Sequence, residues 1–143
     1  GGSMLLHPVV HLHLFNSCGE LYLQKRPAWK DIQPGRWDTA VGGHVDWGEE
    51  PLAALRREVR EEVGVTDFEP QHVLTYLFES ERERELVYVY KTVYDGPVVP
   101  SGELDGGRFW TLREIAEGVG GGIFTPNFEG EIRRVAELPD VGR

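Results

Sequence analysis

Three glutamates, Glu58, Glu61 and Glu62, stand at i, i+3 and i+4 near the middle of the chain. On a helix this spacing gathers their carboxylates within roughly a quarter to a third of the circumference. Like charges in one patch oppose each other, by roughly a few tenths of a kcal/mol per pair on an isolated helix. A divalent cation would offset that repulsion, and a set of oxygen ligands suits Mg2+ or Mn2+. For three glutamates alone, a solvated acidic face is the ordinary alternative, so their surroundings must decide.

The element that carries them is the clearest in the chain. Pro51 fits a first helical turn, where its missing N–H would have no partner. Glu49 and Glu50 complement the positive end of the helix dipole, and Gly64 suits a left-handed terminal cap. Between these limits Leu52, Leu55, Val59 and Val63 recur at three- and four-residue steps, forming an apolar stripe that should face a sheet. Upstream, Val9 to Phe15 and Leu21 to Gln24 read as a hairpin about the turn Asn16–Gly19. The segment from Arg26 to Trp37, with Pro27, Pro34 and Gly35, reads as a long loop. Thr39 to Val41 is a brief strand that runs into Gly42, Gly43 and His44, followed by a loop through Asp46, Trp47 and Gly48 to Pro51. Downstream, Val73 to Phe78, Leu86 to Tyr94 and Arg108 to Thr111 read as strands, and Leu112 to Glu117 and Glu129 to Leu138 as helices. This order predicts an α/β layered domain with helices on both sides of a mixed sheet.

From Gly43 five residues lead to Glu49 and seven more to Arg57; then come Glu58, Val59, one residue, Glu61, Glu62, one residue, Gly64 and Val65. At this chain's own residue frequencies such a coincidence has a chance of roughly 10^-5 to 10^-6 over all windows. The pattern reproduces the Nudix box at every position, and the chain resembles the Nudix family over essentially its full length. The resemblance implies an α/β/α sandwich with a central mixed β-sheet, and hydrolysis of a phosphoanhydride in a nucleoside-diphosphate-linked substrate with Mg2+ or Mn2+. It makes Glu58, Glu61 and Glu62 metal ligands, joined by the Gly42 carbonyl. Glu61, Glu58 and Arg57 are then the catalytic set, with the general base left open among the glutamates. Glu49, Gly43 and Gly64 hold the site's structure. Arg57 suits the orienting of a carboxylate, because its planar fork matches one, and glycine at 42 and 43 permits close backbone approach.

Beyond the box, Glu85 is a further metal-ligand candidate, with Glu83 beside it and Glu103 in a later loop, although Glu79 to Glu85 also reads as a solvated charge run. Arg26, Lys30 and Arg36, in the loop before the box, and His44 are candidates for binding substrate phosphates. His11 and His13 alternate with Val10, Leu12 and Leu14 and so share one sheet face, where pairing with backbone or water is the ordinary expectation. Trp37 and Trp47 flank the site loop, either to stack on a base or simply to pack.

The upstream text, Leu6-His7, Leu14-Phe15-Asn16, Leu23-Gln24-Lys25-Arg26, Pro34-Gly35-Arg36-Trp37 and Gly43-His44, resembles the branch that includes isopentenyl-diphosphate isomerase, as do Glu83 and Glu85. That isomerase carries a cysteine just before the Gly-His pair. Here Gly42 stands there and the single cysteine is Cys18, so a hydrolase on that scaffold is expected rather than an isomerase. A ligand-sensing module that keeps the fold without turnover is the other alternative, and the intact box carboxylates favour an enzyme.

Composition bounds the rest. With 143 residues, 40% of them hydrophobic, the chain has the size of one domain, expected over residues 4–143, with Gly1, Gly2 and Ser3 read as a cloning scar. One cysteine excludes an internal disulfide, and no stretch nears the roughly 20 apolar residues of a membrane span. The net charge of -9 speaks against a nucleic-acid polymer as partner. The expectation is a cytoplasmic protein acting on a small-molecule diphosphate, away from membranes, with a homodimer common in such relatives.

Overall fold

A computed structural model describes residues 5–26, 35–101 and 106–142. The hairpin forms as β1 (Leu6–Phe15) and β2 (Leu21–Lys25), with the carbonyl-rich turn held by Asn16, whose side-chain oxygen accepts from Glu20 N–H at 2.9 Å. The remaining strands are β3 (Trp37–Thr39), β4 (Val41–His44), β5 (Gln71–Glu79), β6 (Arg84–Val93) and β7 (Gly107–Trp110); the helices are α1 (Pro51–Val63), α2 (Leu112–Gly118) and α3 (Pro126–Val135). The sheet runs β3-β2-β1-β6-β5, with β4 also on β1 and β7 also on β2. Only the β1–β6 pair is parallel among these, so the sheet is mixed as expected.

The register shows where the sheet opens. β1 and β2 are neighbours only at Leu14–Tyr22 and Phe15–Leu21. Beyond that point β1 takes β4 as its partner and β2 takes β3, with a bend at Ala40 between them. The sheet therefore forks, and a cleft lies in the fork.

Two layers cover the sheet. Val10, Leu12 and Leu14 of β1 pack with Val41 and with Ala54, Leu55, Val59 and Val63 of α1. On the other face Leu21, Leu23 and Trp110 meet Ile115 of α2 and Phe128 and Ile132 of α3. α1 begins with Pro at its first positions and ends at Gly64, whose φ of 69° is the left-handed cap expected. Beyond β6 the chain straps across that end: Val99 N–H donates to Val63 O and Ser101 N–H to Glu62 O, both at 2.9 Å, giving carbonyls of the last turn partners they otherwise lack. Among the described residues no helix is long and apolar enough to cross a membrane.

Three expectations need correction. Leu52 is exposed and Ala54 takes a core place instead, because helical periodicity ranks positions by angle and says nothing of where along the axis the sheet begins. Glu50 takes the N-cap position of α1 with Glu49 just ahead of it, at the positive end of the helix, although neither caps it with a side chain. The expected strand over 39–41 is two strands broken at Ala40, and Gly42, Gly43 and His44, into which it is expected to run, form the body of β4, paired with His11, Val10 and Val9. The last helix starts three residues earlier than read, on Pro126 with Thr125 as cap, and ends at Val135. Lys30, Glu103, residues 27–34 of the expected loop and Gly1–Ser3 lie outside the described residues.

Candidate active site

Arg57 locks the box loop onto α1. Its Nε donates to Glu49 Oε2 and its Nη2 to Glu49 Oε1, each at 3.0 Å, a two-pronged pairing that a planar guanidinium makes and an ammonium cannot. Nη2 also donates to the His44 carbonyl at 3.0 Å, and Nη1 to Glu58 Oε1 at 2.7 Å. Glu49 Oε1 accepts in addition from the Asp46 N–H at 3.0 Å. The hydrogen bond from Arg57, with that from the Asp46 backbone, holds the Glu49 carboxyl down at about 2. One arginine thus joins the end of β4, the loop and the carboxylate patch.

The glycines explain how close that patch comes to the sheet. A Cβ on Gly43 would collide with the Glu58 carboxylate carbon and oxygen. Only a residue with no side chain lets Glu58 lie against β4. Glu62 reaches the same strand, taking a backbone hydrogen bond from Gly42. Burial first, and then the hydrogen bond and charge of Glu58, push the Glu62 carboxyl up to about 9. Its Oε2 is buried without a hydrogen-bond partner.

A partnerless buried oxygen on a carboxylate crowded by another carboxylate is what a hard cation would relieve, so the donor set fits Mg2+ or Mn2+. Among the described residues no three His, Cys, Asp or Glu side chains already form a closed ligand group. The Glu61 side chain is 54% exposed and 3.6 Å from Arg57 Nη1. Glu58 and Glu62 converge, and Glu61 stands outside them.

The cleft in the fork has a volume of about 670 Å3. One bank carries Gln24, Arg26 and Asp38, the other His11, Gly42 and His44, and Glu62 and Glu85 also line it. Arg26 lies 3.6 Å from Asp38. His44 stands edge-on to His7, ring centroids 6.4 Å apart. Burial, and then the neighbouring Glu83, raise the Glu85 carboxyl above its ordinary value. Arg36 is not brought to this cleft: it donates to the Phe124 carbonyl at 3.3 Å, which ties the loop to the start of α3. Gly64 serves only to cap α1. Trp37 packs edge-on against Trp110 at 5.2 Å, whereas Trp47 is fully exposed and packs on nothing.

Sequence reasoning missed one residue with wide consequences. Glu131 of α3 is 2% exposed, and its carboxylate faces His11 Nδ1 at 2.7 Å, His13 Nε2 at 2.9 Å and the Tyr76 hydroxyl at 2.5 Å. The two strand histidines therefore pair with a carboxylate from 120 and 118 residues away, not with backbone or water. Burial alone would raise the Glu131 carboxyl, but His11 and His13 outweigh it and hold it far below the ordinary carboxylate range. Its signal was present in the text: Glu131 is the one charge on an apolar stripe formed by Phe128, Ile132 and Val135.

Residues 5–128 match the NUDIX domain family model. A Pseudomonas aeruginosa protein described as an uncharacterized Nudix hydrolase is 36% identical over 97 residues, 67% of this chain and 57% of its own length. An isopentenyl-diphosphate Delta-isomerase of Serratia proteamaculans is 31% identical over 118 residues, 79% of this chain and 64% of its own length. The chain thus spans less than two thirds of these relatives. Among solved structures, DR0079 of Deinococcus radiodurans superposes with a TM-score of 0.76 at 27% identity, covering 90% of this chain and 82% of that one. A MutT protein of Methanosarcina mazei shares the fold, with a TM-score of 0.78 at 24% identity over 94% and 95% of the two chains. With the box, the clamp of Arg57 and the α/β/α layers in place, the chain belongs to the Nudix family and resembles the isomerase-like branch within it.

Proposed function

We propose that the protein hydrolyses a phosphoanhydride in a small, nucleoside-diphosphate-linked substrate in the cytoplasm, and that it requires Mg2+ or Mn2+ to do so. The observation that carries this reading is the convergence of Glu58 and Glu62 on β4, with a buried Glu62 oxygen that has no partner. Glu58, Glu62 and the Gly42 carbonyl would hold the cation, with Glu61 closing on it from the exposed side. Bound there, the ion supplies positive charge to the phosphate oxygens and lowers the pKa of a bound water.

The chain's own residues do the positioning. Arg57 fixes Glu58 through the 2.7 Å bond while Glu49 holds the other prongs of its guanidinium, so the carboxylate cannot swing away when charge develops at the phosphorus. Arg26 and His44, both on the cleft, are placed to meet phosphate oxygens that the cation does not cover. A carboxylate of the box takes the proton of the attacking water. The isomerase alternative lacks support at the decisive position, because Gly42 carries no thiol and Cys18 is exposed in the β1–β2 turn.

The test is cleavage of a panel of nucleoside triphosphates, nucleotide sugars, dinucleotides and prenyl diphosphates, with and without Mg2+ or Mn2+, the products being separated by chromatography so that phosphate, pyrophosphate and phosphomonoesters are all seen. The proposal expects metal-dependent turnover by the native protein and its loss in Glu61→Gln and Glu62→Gln. Tight metal binding with no turnover on any compound would replace it with a ligand-sensing module.

A further inference from the structure

The fold spends a buried charge where an apolar core would serve. On the α3 side of β1, alternation points Val9, His11 and His13 at a helix whose other facing residues are Phe128, Ile132 and Val135. A lone carboxylate in such a layer carries a large desolvation cost unless several donors meet it. Glu131 has three: His11, His13 and Tyr76, with Asn127 in turn donating to the Tyr76 hydroxyl at 3.3 Å. The arrangement is built and preorganised.

It is also connected to the cleft. His13 is wholly buried and Glu131 nearly so, whereas the His11 side chain is 14% exposed and lines the cleft. Glu131 occupies Nδ1, so Nε2 is the ring atom left over. That atom lies over β4: a Cβ on Gly42 would come 3.7 Å from His11 Nε2 and 3.4 Å from Cδ2. The imidazole edge is therefore held beside the strand on which Glu58 and Glu62 converge, one step from where phosphates would sit.

We infer that His11, fixed by Glu131, is a specificity-determining contact that takes the uncharged nucleoside part of the substrate through Nε2, with Glu131 as its positioning residue. A histidine backed by a carboxylate forms a unit with little net charge, which favours a neutral hydrogen-bonding group over another phosphate oxygen. The opposite bank agrees in character: Gln24 lines the cleft and its Oε1 is buried with no hydrogen-bond partner. This inference rests on the proposed reaction for the identity of the phosphate side of the cleft, and its test reads binding instead of turnover.

Two substitutions separate anchoring from contact. His11→Asn keeps a donor where Nδ1 was, so Glu131 stays satisfied, but leaves nothing where Nε2 was. Glu131→Gln keeps the shape and removes the charge that fixes the ring. The probes are methylenediphosphonate and the α,β-methylene diphosphates of the four common nucleosides, titrated calorimetrically with Mg2+. Expected are tighter binding of at least one nucleoside compound than of the bare diphosphonate by the native protein, and a loss of about tenfold for that compound in His11→Asn, the size of one hydrogen bond. Methylenediphosphonate binding by His11→Asn stays near native, and the circular dichroism spectrum of this variant shows it folded. Glu131→Gln weakens the nucleoside compound in the same direction without moving the diphosphonate. The inference is overturned if no nucleoside compound outbinds the diphosphonate, if His11→Asn weakens both alike, or if a folded His11→Asn weakens neither. Nucleoside binding through His11 with no turnover of the substrate panel would instead sink the hydrolase reading alone.

Discussion

The two faces of the sheet are built on opposite principles. Toward α1 the interior is apolar, and charge appears only at the rim, where Glu58 and Glu62 gather beside Gly42 and Gly43. Toward α3 a charge lies within the layer, Glu131, ringed by His11, His13 and Tyr76. Rim carboxylates crowd one another and want a cation from outside; the interior carboxylate brings its own partners. On the function proposed above, the first face takes its partner ion from outside, whereas the second offers the cleft the edge of the His11 imidazole.

Substitutions that break one face and spare the other test this contrast. The largest expected effect is at the rim: Glu62→Gln lowers kcat by about 10^3-fold, the scale of several kcal/mol of lost transition-state charge stabilisation, while its thermal melt stays near native. Next, Ile132→Ala in the α3 layer destabilises the fold by about 2–5 kcal/mol in denaturant titration, and the kcat of the protein that remains folded changes little. A kcat loss matching that of Glu62→Gln would erase the distinction.

Gly43→Ala forces Glu58 off β4 and lowers kcat by about 10^2-fold. Gly42→Ala, whose Cβ meets only ordinary contact with His11, serves as the mild partner, and steady-state kinetics on the pair would show whether the close approach of Glu58 matters. Arg57→Lys loses the two-pronged hold on Glu49 and lowers kcat by about tenfold, with charge retained.

The smallest effect is one of pH. Burial pulls His11 down, but Glu131 outweighs it, so its folded value lies above the ordinary 6.5. The stability it contributes is full below 6.5 and fades as pH rises through the folded value. Glu131 is depressed below the ordinary 4.5, so its share is present above 4.5 and fades on acidification. Above about pH 6.5 melting temperatures should therefore decline less steeply in His11→Asn than in the native protein, the decline that the raised Glu62 carboxyl adds being common to both. An unchanged alkaline slope in His11→Asn would mean the ring contributes no charge to the layer.

The α1 side was largely legible in the text. Pro51, Gly64 and the spacing of Leu55, Val59 and Val63 are local signals, and the box lies almost wholly within one helix and its loop. The α3 side was not, because what matters there is distant in sequence. His11 and His13 give no hint of a carboxylate on the last helix, and the strand expected over 39–41 extends through Gly42 and Gly43 because the backbone ladder of β1 overrides glycine's weak strand preference. Arg36 looked like a phosphate ligand, yet the start of α3 claims it through the Phe124 carbonyl. Nothing in the chain's text shows that the Glu61 side chain is more than half exposed while Glu58 lies against β4.

β1 pairs in parallel with β6, joining Leu6 to Arg84 and every residue onward to Phe15 with Val93. A parallel pair cannot close through a tight turn, so its formation must wait for the intervening chain, including all of α1, to be made and collected. The helix with its glutamates can take shape early from local contacts, but the strand that completes the sheet beneath it, and the still later α3 that neutralises the histidines, arrive last. Refolding followed by cation binding should therefore lag behind recovery of helical signal, and a partly refolded chain would display its acidic patch before it has a cleft to use it in.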